Sequence, residues 1–486
     1  MVTTTSNFSA KGGSASGGKP QTSKSMCLFC SLGCGTAFRM RGEEAIAIDY
    51  DSENPINLGA LCPRGHYNLE YLNHPQRLTA PRLGPRPVSW EEAANFIKQE
   101  LNIFAKDEFG ILVSCLTSNE DTAAIANLAK TLGIRNVLSA GSAADLEAYE
   151  GFKWEVPGAE LATLEDIETA DALLIVGDLL TRTPVLSKRV NQVKYGKRGN
   201  KIIVIDPNRT HTAWFATDHL ACRPGTEAVV LAALSGDLPV AEAAEVTGLP
   251  ANRLTAAAND FKAAAKGTVL YVPQEGAQRH DLGVYCAKKI AAASPNKKYI
   301  VLYQFGNTLG VNTIIDREAP EHPTYHDLLA KIERNEVKAL LMFGEDISSG
   351  HPELQKKFRM LKFVAFSGHF ESESPAIYDT SVLLPQATQM EAAGSYRLAD
   401  GRLEKLAPVA APAGERTCAE ICRMIGGNLV GGPAAPELVS KKKEPAEIVA
   451  GLKAIEPLAA MPLEPITHFG NDHLVKNFFW YRVNNG

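Results

Sequence analysis

Three cysteines fall within eight positions in MCLFCSLGCG, at Cys27, Cys30 and Cys34, and the next, Cys62, stands in LCPRGHYN. The full spacing is C-x2-C-x3-C-x27-C. A tight loop of three thiols and a fourth returning from a distance can wrap a metal centre, and Gly33 and Gly35 let the backbone turn closely around it. A [4Fe-4S] cluster fits this spacing best. Structural zinc ordinarily takes two C-x2-C knuckles or histidines, whereas the second half here supplies one cysteine. Zinc and plain buried thiols remain the other two readings of the same residues. Arg64 and His66, just after Cys62, either set positive charge beside the centre and favour its reduced form or are solvated surface charges.

The rest of the chain is cysteine-poor. Nine cysteines spread unevenly over 486 residues do not make a disulfide framework, and a reducing cytoplasm is the expected setting. Cys115 lies in the apolar run GILVSCLT and reads as core. Cys418 and Cys422 share one face of an expected helix, with no third ligand nearby. A net charge of -5 gives no basic footprint for nucleic acid as the main partner. No apolar run approaches the roughly 18–20 residues that span a bilayer. The opening MVTTTSNFSAKGGSASGGKPQTSKS has neither an apolar core nor paired arginines, and reads as a disordered tail rather than a secretory signal.

Beyond the Pro/Arg-rich linker NHPQRLTAPRLGPRPVSW the pattern alternates. Ser89 is placed to cap a helix over WEEAANFIKQELNIFAK, and NEDTAAIANLAKTLG reads as a helix ended by Gly133. GILVSCLT, DALLIVGD, NKIIVID, GTVLYV, KKYIVLYQFG, VKALLMFGE and LKFVAFSG are short apolar runs suited to buried parallel strands. This is βαβ architecture, which sets ligands at the carboxyl ends of strands. Several strand ends carry loop chemistry for that role: Asp206 to Thr210, Pro224 to Thr226 before a helix, and Gly344-Glu345-Asp346. Taken singly, each is an ordinary turn. Together they make a nucleotide-like ligand a reasonable expectation.

Over residues 27 to 426 the chain resembles the molybdopterin oxidoreductase superfamily, in outline formate dehydrogenase catalytic subunits, the large iron–sulfur subunit of respiratory complex I and the corresponding subunit of formylmethanofuran dehydrogenase. The likeness is carried by CLFCSLGCG with LCPRGHYN, LTAPRLGPRPVSWEEAANFI, IIVIDPNRTHTAWFATDHLACRPGTEAVVLAAL, VKALLMFGED and SESPAIYDTSVLLPQATQMEAAGSYRLADGRLEK. It implies a [4Fe-4S] cluster on Cys27, Cys30, Cys34 and Cys62. It also implies that Asp206, Arg209, Thr210, Gly225, Thr226 and Gly344 lie where relatives bind the tails of a molybdopterin guanine dinucleotide. Where relatives carry an electron-conducting lysine, Arg64 is the candidate here.

The expected fold is α/β: an N-terminal [4Fe-4S] domain followed by two doubly wound, Rossmann-like parallel-sheet domains. The expected division is a disordered tail over 1–25, the cluster domain over 26–80, an α/β domain built from 81–138 and 310–426, an inserted α/β domain over 139–309, and a linker with a C-terminal docking tail over 427–486, which ends in Phe478, Phe479, Trp480 and Tyr481.

Departures from the family pattern shape the functional reading. Formate-type relatives hold their metal through a cysteine or selenocysteine followed by histidine. The aligned place is Ala144-Asp145, and no cysteine lies between Cys115 and Cys222. Gln304 or Phe305 stands where relatives keep a catalytic arginine, and the sequence after residue 426 reads as too Pro/Ala/Lys-rich for the family's C-terminal cofactor domain. Asp145 reads first as a helix-start acid and second as a metal ligand. These departures tell against the pterin cofactor. The leading expectation is an iron–sulfur electron-transfer subunit working with other redox subunits, touching a membrane only through them. The alternatives are a catalytic formate or formyl-group oxidoreductase with atypical metal ligation, and a structural scaffold subunit.

Overall fold

The computed structural model describes residues 21–274, 276–344, 352–370, 381–426 and 437–459. The apolar runs form two parallel sheets. One has five strands in the order Asp218–Leu220, Lys201–Ile205, Ala172–Val176, Gly267–Tyr271, Lys297–Val301, all parallel. Every residue of Ala172–Val176 is buried, as a central strand covered by helices on both faces requires. The other sheet sets Ser381–Pro385, Phe363–Gly368, Ala339–Phe343, Phe109–Ser114 and Asn136–Ala140 side by side in parallel. Two-residue strands, Arg82–Leu83 and Arg86–Pro87, close one edge antiparallel, within the stretch read as a linker. The five-stranded unit is thus threaded between Asn136–Ala140 and Ala339–Phe343 of the second sheet. Strand order reverses beside Ala172–Val176 and beside Phe109–Ser114, and a doubly wound sheet opens its crevices at such points.

Local signals act as the residue types dictate. Ser89 Oγ accepts from the Glu92 amide (3.1 Å) at the start of Trp90–Ile103. Gly133, at φ 73°, ends Asn119–Leu132 in the left-handed conformation. Cys418 and Cys422 are both fully buried in the core of the seven-stranded sheet, and Cys115 is buried just past the end of its strand.

At the front, Gln21–Met26, Gly35–Arg41 and Glu44–Tyr50 form an antiparallel meander whose first connection is the cysteine loop, with Met26 paired to Gly35. Residues 21–25, read as the end of a disordered tail, are therefore strand: their backbone groups pair with Thr36–Met40. At the other end, Pro445–Lys453 is a helix whose Ile448 and Leu452 enter the core of the five-stranded unit. Lys441 bridges the backbone beside Trp154. This part of the stretch read as a docking tail lies against its own chain, because its apolar positions recur at helical spacing. The aromatic cluster Phe478 to Tyr481 falls outside the described residues, as do Glu345 and Asp346. Among the described residues no helix is long and apolar enough to cross a membrane.

Arg77 ties the N-terminal unit to the seven-stranded one. Its guanidinium donates to both carboxylate oxygens of Glu391 (2.8 and 2.7 Å) and to Glu415 (3.1 Å), with all three side chains buried. Replacing Arg77 by Met leaves two buried carboxylates uncompensated, and denaturant unfolding should register a loss of about 3–5 kcal/mol.

Candidate metal centre

The hairpin loop between Met26 and Gly35 closes on itself through the Cys27 amide, which donates to the Cys34 carbonyl (2.8 Å). Gly33 turns at φ 69°, and a Cβ there would lie 2.4 Å from Leu398 and 2.6 Å from the Met26 sulfur, so a side chain would strain the backbone and displace both neighbours. Cys62 arrives as the residue before the helix Pro63–His66. All four thiols line one pocket, together with Phe29, Leu32, Leu61, Arg64, Gly65 and, from the five-stranded unit, Thr183, Pro184 and Val185. Cys27, Cys30 and Cys34 are buried, whereas Cys62 is partly exposed. Burial pushes the Cys27 thiol up to about 12 and raises Cys30 and Cys34, with the neighbouring sulfurs adding to the rise. Holding four thiolates there takes compensating positive charge, which iron supplies in a polynuclear cluster. Four thiols in this spacing, lining one pocket, are the donor set of a [4Fe-4S] cluster.

Arg64 is half-buried in the same pocket. It donates to the Phe29 carbonyl (3.2 Å) and to the Arg182 carbonyl, joining the cysteine loop to the five-stranded unit. Burial disfavours its charge, but Cys30, Cys62 and Cys27 more than offset this, and its pKa is raised. His66 is exposed and absent from the pocket wall. Of the two basic residues after Cys62, only Arg64 reaches the sulfurs.

Sequence reasoning missed the frame behind the loop. The Ser31 amide donates to the Tyr303 carbonyl (3.1 Å) and the Ala399 amide to the Ser31 carbonyl (3.0 Å). Arg402 donates to Leu32 O (3.0 Å). The Tyr303–Phe305 segment is in turn held by Asp145: its Oδ2 accepts from the Gln304 and Phe305 amides (2.8 and 3.3 Å). Asp145 is fully buried in the first turn of Ala143–Lys153, with its own amide donating to Ser142 Oγ. Its carboxylate faces the backbone of the loop that supports the cysteines. The fully buried Tyr303 and the glycine-bearing QFGN turn were the signals available for this contact.

Beside that helix a cleft of about 410 Å³ opens between the carboxyl ends of Asn136–Ala140 and Gly267–Tyr271. Among the described residues Ala144, Glu147 and Glu150 line it, whereas neither Asp145 nor any Lys or Arg does. Glu147 is pushed up to about 7 by burial. His280, between Tyr271 Oη (2.9 Å) and Gln274 O (3.1 Å), is pushed down to about 4 by burial. Among the described residues the wall therefore offers a small anion no Lys or Arg.

The residues expected around a pterin dinucleotide fall in two places. Gly344, at φ 101°, abuts Ser114 at the switch point of the seven-stranded sheet. The others belong to the five-stranded unit. Asp206 is buried at a strand end and accepts from the Asn208 amide (2.7 Å). Arg209 is exposed, and Thr210 caps the helix His211–Phe215. Gly225 turns at φ 78° and Thr226 donates to Arg223 O (2.7 Å). This turn is covered by the chain itself. The Leu458 amide donates to Pro224 O (2.9 Å), Gln278 donates to Glu456 O (2.9 Å), and a Cβ on Gly225 would lie 2.5 Å from Gln278 and 2.9 Å from Leu458. The backbone approach that glycine permits is thus taken up by protein, which does not fit a dinucleotide tail at this turn.

Beneath it, the Glu227 and Asp206 carboxyl groups are both buried. Burial raises each side chain from its ordinary value, 4.5 and 3.8, to about 7, and repulsion from nearby acids adds. The folded protein therefore binds these protons more tightly than the unfolded chain. The stability they confer is full below pH ~4 and is lost as pH rises through 7. Asp206→Asn and Glu227→Gln should each gain on the order of 1–2 kcal/mol at pH 8 and little at pH 4, as read by denaturant unfolding at the two pH values.

Similarity to known proteins follows the same lines. The family described as Molybdopterin oxidoreductase matches residues 86–425, and Molybdopterin oxidoreductase Fe4S4 domain matches residues 20–74, which hold all four pocket cysteines. The F420-dependent formate dehydrogenase subunit alpha of Methanocaldococcus jannaschii is 31% identical over 218 residues, 43% of this chain and 32% of that one. The NADPH-Fe(3+) oxidoreductase subunit alpha of Geobacter sulfurreducens is 25% identical over 475 residues, 81% of this chain and 54% of that one. The chain thus spans about a third to a half of these curated relatives. Acetylene hydratase from Pelobacter acetylenicus shares the fold with a TM-score of 0.67 at 15% identity, covering 83% of this chain and 68% of that one. With an Fe4S4 domain at its front and the matched α/β body behind it, the chain belongs to the molybdopterin oxidoreductase family.

Proposed function

We propose that this chain is the iron–sulfur electron-transfer subunit of a larger cytoplasmic oxidoreductase, with no molybdenum or tungsten chemistry of its own. The observation that carries the proposal is a complete four-thiol pocket, Cys27, Cys30, Cys34 and Cys62, backed by an acid where relatives place a metal ligand. A [4Fe-4S] cluster bound there supplies one-electron transfer. The surrounding residues define how it is held. The apolar wall of Phe29, Leu32, Leu61 and Val185 limits water, and Arg64 keeps a positive charge at the sulfurs, which stabilises the more negative, reduced state. Three observations support the absence of metal-pterin catalysis. Asp145 spends Oδ2 on backbone amides, the described part of the cleft wall has no Lys or Arg, and Leu458 covers the Gly225 turn. The partners are other redox subunits, in keeping with relatives named as alpha subunits.

Elemental analysis of the anaerobically purified chain should find about four irons and negligible molybdenum or tungsten, and reduction should develop a [4Fe-4S] electron-paramagnetic signal. Cys30→Ala should lose that signal and electron transfer to partner subunits while still assembling with them. Zinc in the pocket, or stoichiometric tungsten with a bound pterin, overturns the proposal. Assembly lost together with the iron would instead make the chain a scaffold. The cleft beside Ala144 favours a second reading, formate or formyl-group oxidation with unusual ligation. Formate-dependent viologen reduction by the native complex, with metal bound to this chain, would decide for it.

A further inference from the structure

The chain carries a net charge of -5, yet residues 179–217 hold eight Lys and Arg against a single acid, Asp206. That acid is buried, so the surface of the segment is basic. The same segment starts at the metal centre: Thr183, Pro184 and Val185 form part of the pocket wall. The helix Ser187–Gly196 follows directly. Its first turn is fastened to the loop that brings in Cys62. Lys188 donates to Leu58 O (2.5 Å), and Arg189 to Ile56 O and Pro55 O (2.8 and 2.7 Å).

From this anchored end Lys188, Asn191, Gln192 and Tyr195, at helical spacing, make one outward face. Tyr195 is 73% exposed and Trp214, on the adjoining helix, 69%, the two highest values among the large exposed apolar side chains. The two helices meet where Tyr195 packs edge-on against Phe215 at 6.0 Å, the residue after Trp214. Lys194 sits over the Phe215 ring (3.9 Å), and Arg198 is exposed just beyond the helix. Lys197 and Lys201 already pair with Asp171 and Asp260. A large exposed tryptophan and tyrosine flanked by arginine and lysine are the residue types that anchor protein partners, and here no exposed acid of the segment competes for the charge. A ten-residue helix is about 15 Å long, so a partner seated along it has one end beside the pocket wall.

We infer that the outward face of Ser187–Gly196, continued by Trp214 and Arg198, is the docking surface for a small acidic redox protein with its own iron–sulfur centre. The inference rests on the electron-transfer reading above and adds to it the class of partner. Steering by opposite charge makes such an encounter fast and dependent on salt.

The test is titration of the full-length, iron-loaded chain with an acidic 2[4Fe-4S] ferredoxin by calorimetry, at about 50 and about 300 mM salt. Binding should weaken about tenfold or more at the higher salt. It should weaken about tenfold in Arg198→Glu and about fivefold or more in Trp214→Ala, with iron content and reduction by methyl viologen unchanged. Equal affinity of parent and variants, or salt-independent binding, overturns the assignment. Self-association abolished by the same substitutions would give the face to a second copy and overturn it as well. Ferredoxin that binds but delivers no electron would leave the surface standing and sink the electron-transfer reading. A cluster reduced by viologen with no ferredoxin bound would do the reverse.

Discussion

Four cysteine side chains share one pocket only because three distant stretches of chain are held against one another. The hairpin loop brings three thiols, the turn into Pro63–His66 brings the fourth, and Thr183–Val185 of the five-stranded unit closes the wall. Arg64 joins all three: its charge sits among the sulfurs while its donors reach Phe29 and Arg182. In a setting of low polarity a charge so placed is strongly coupled to the sulfurs' own charge. The position of the five-stranded unit and the electrostatics of the pocket are therefore one structural problem.

Behind the pocket, a single carboxylate decides what the interior can do. Asp145 is rigidly placed by the first turn of its helix, and its Oδ2 gathers two amides of the Tyr303–Phe305 segment. Tyr303 in turn receives the Ser31 amide, so the acid supports the cysteine loop at second hand. The same contacts direct it away from the neighbouring cleft, where Ala144 supplies no donor atom. Structural support and ligand chemistry compete for the same side chain.

The dinucleotide-type turn shows a similar trade. Glycine at 225 lets another group approach the backbone, and here that group is the chain's own Leu458. The helix Pro445–Lys453 fixes Leu458 by burying Ile448 and Leu452. Beneath the turn Asp206 and Glu227 are buried, and their raised affinity for protons is the electrostatic result of that burial.

Much of this was written plainly in the residues. Period and length of the apolar runs specified a parallel α/β fold, because a strand covered on both faces must be apolar throughout. Ser89 and Gly133 marked helix ends through local chemistry alone. The cysteine spacing likewise set the donor types, since a three-thiol loop needs few other residues to form. What stayed hidden depended on contacts across the chain. Residues 21–25 looked like tail because low-complexity sequence lacks a signal for pairing that only Gly35–Arg41 provides. Asp145 looked like an ordinary first-turn acid, because nothing local tells that its partners stand at 304 and 305. Leu458 and Gly225 could not be connected from spacing at all. Residue order alone established which elements form and which atoms can bind metal, since periodicity, capping and ligand type act over a few positions. That Arg64 but not His66 meets the sulfurs, that Asp145 supports a loop and that Leu458 covers the Gly225 turn were settled by packing, since each depends on where distant backbones come to rest.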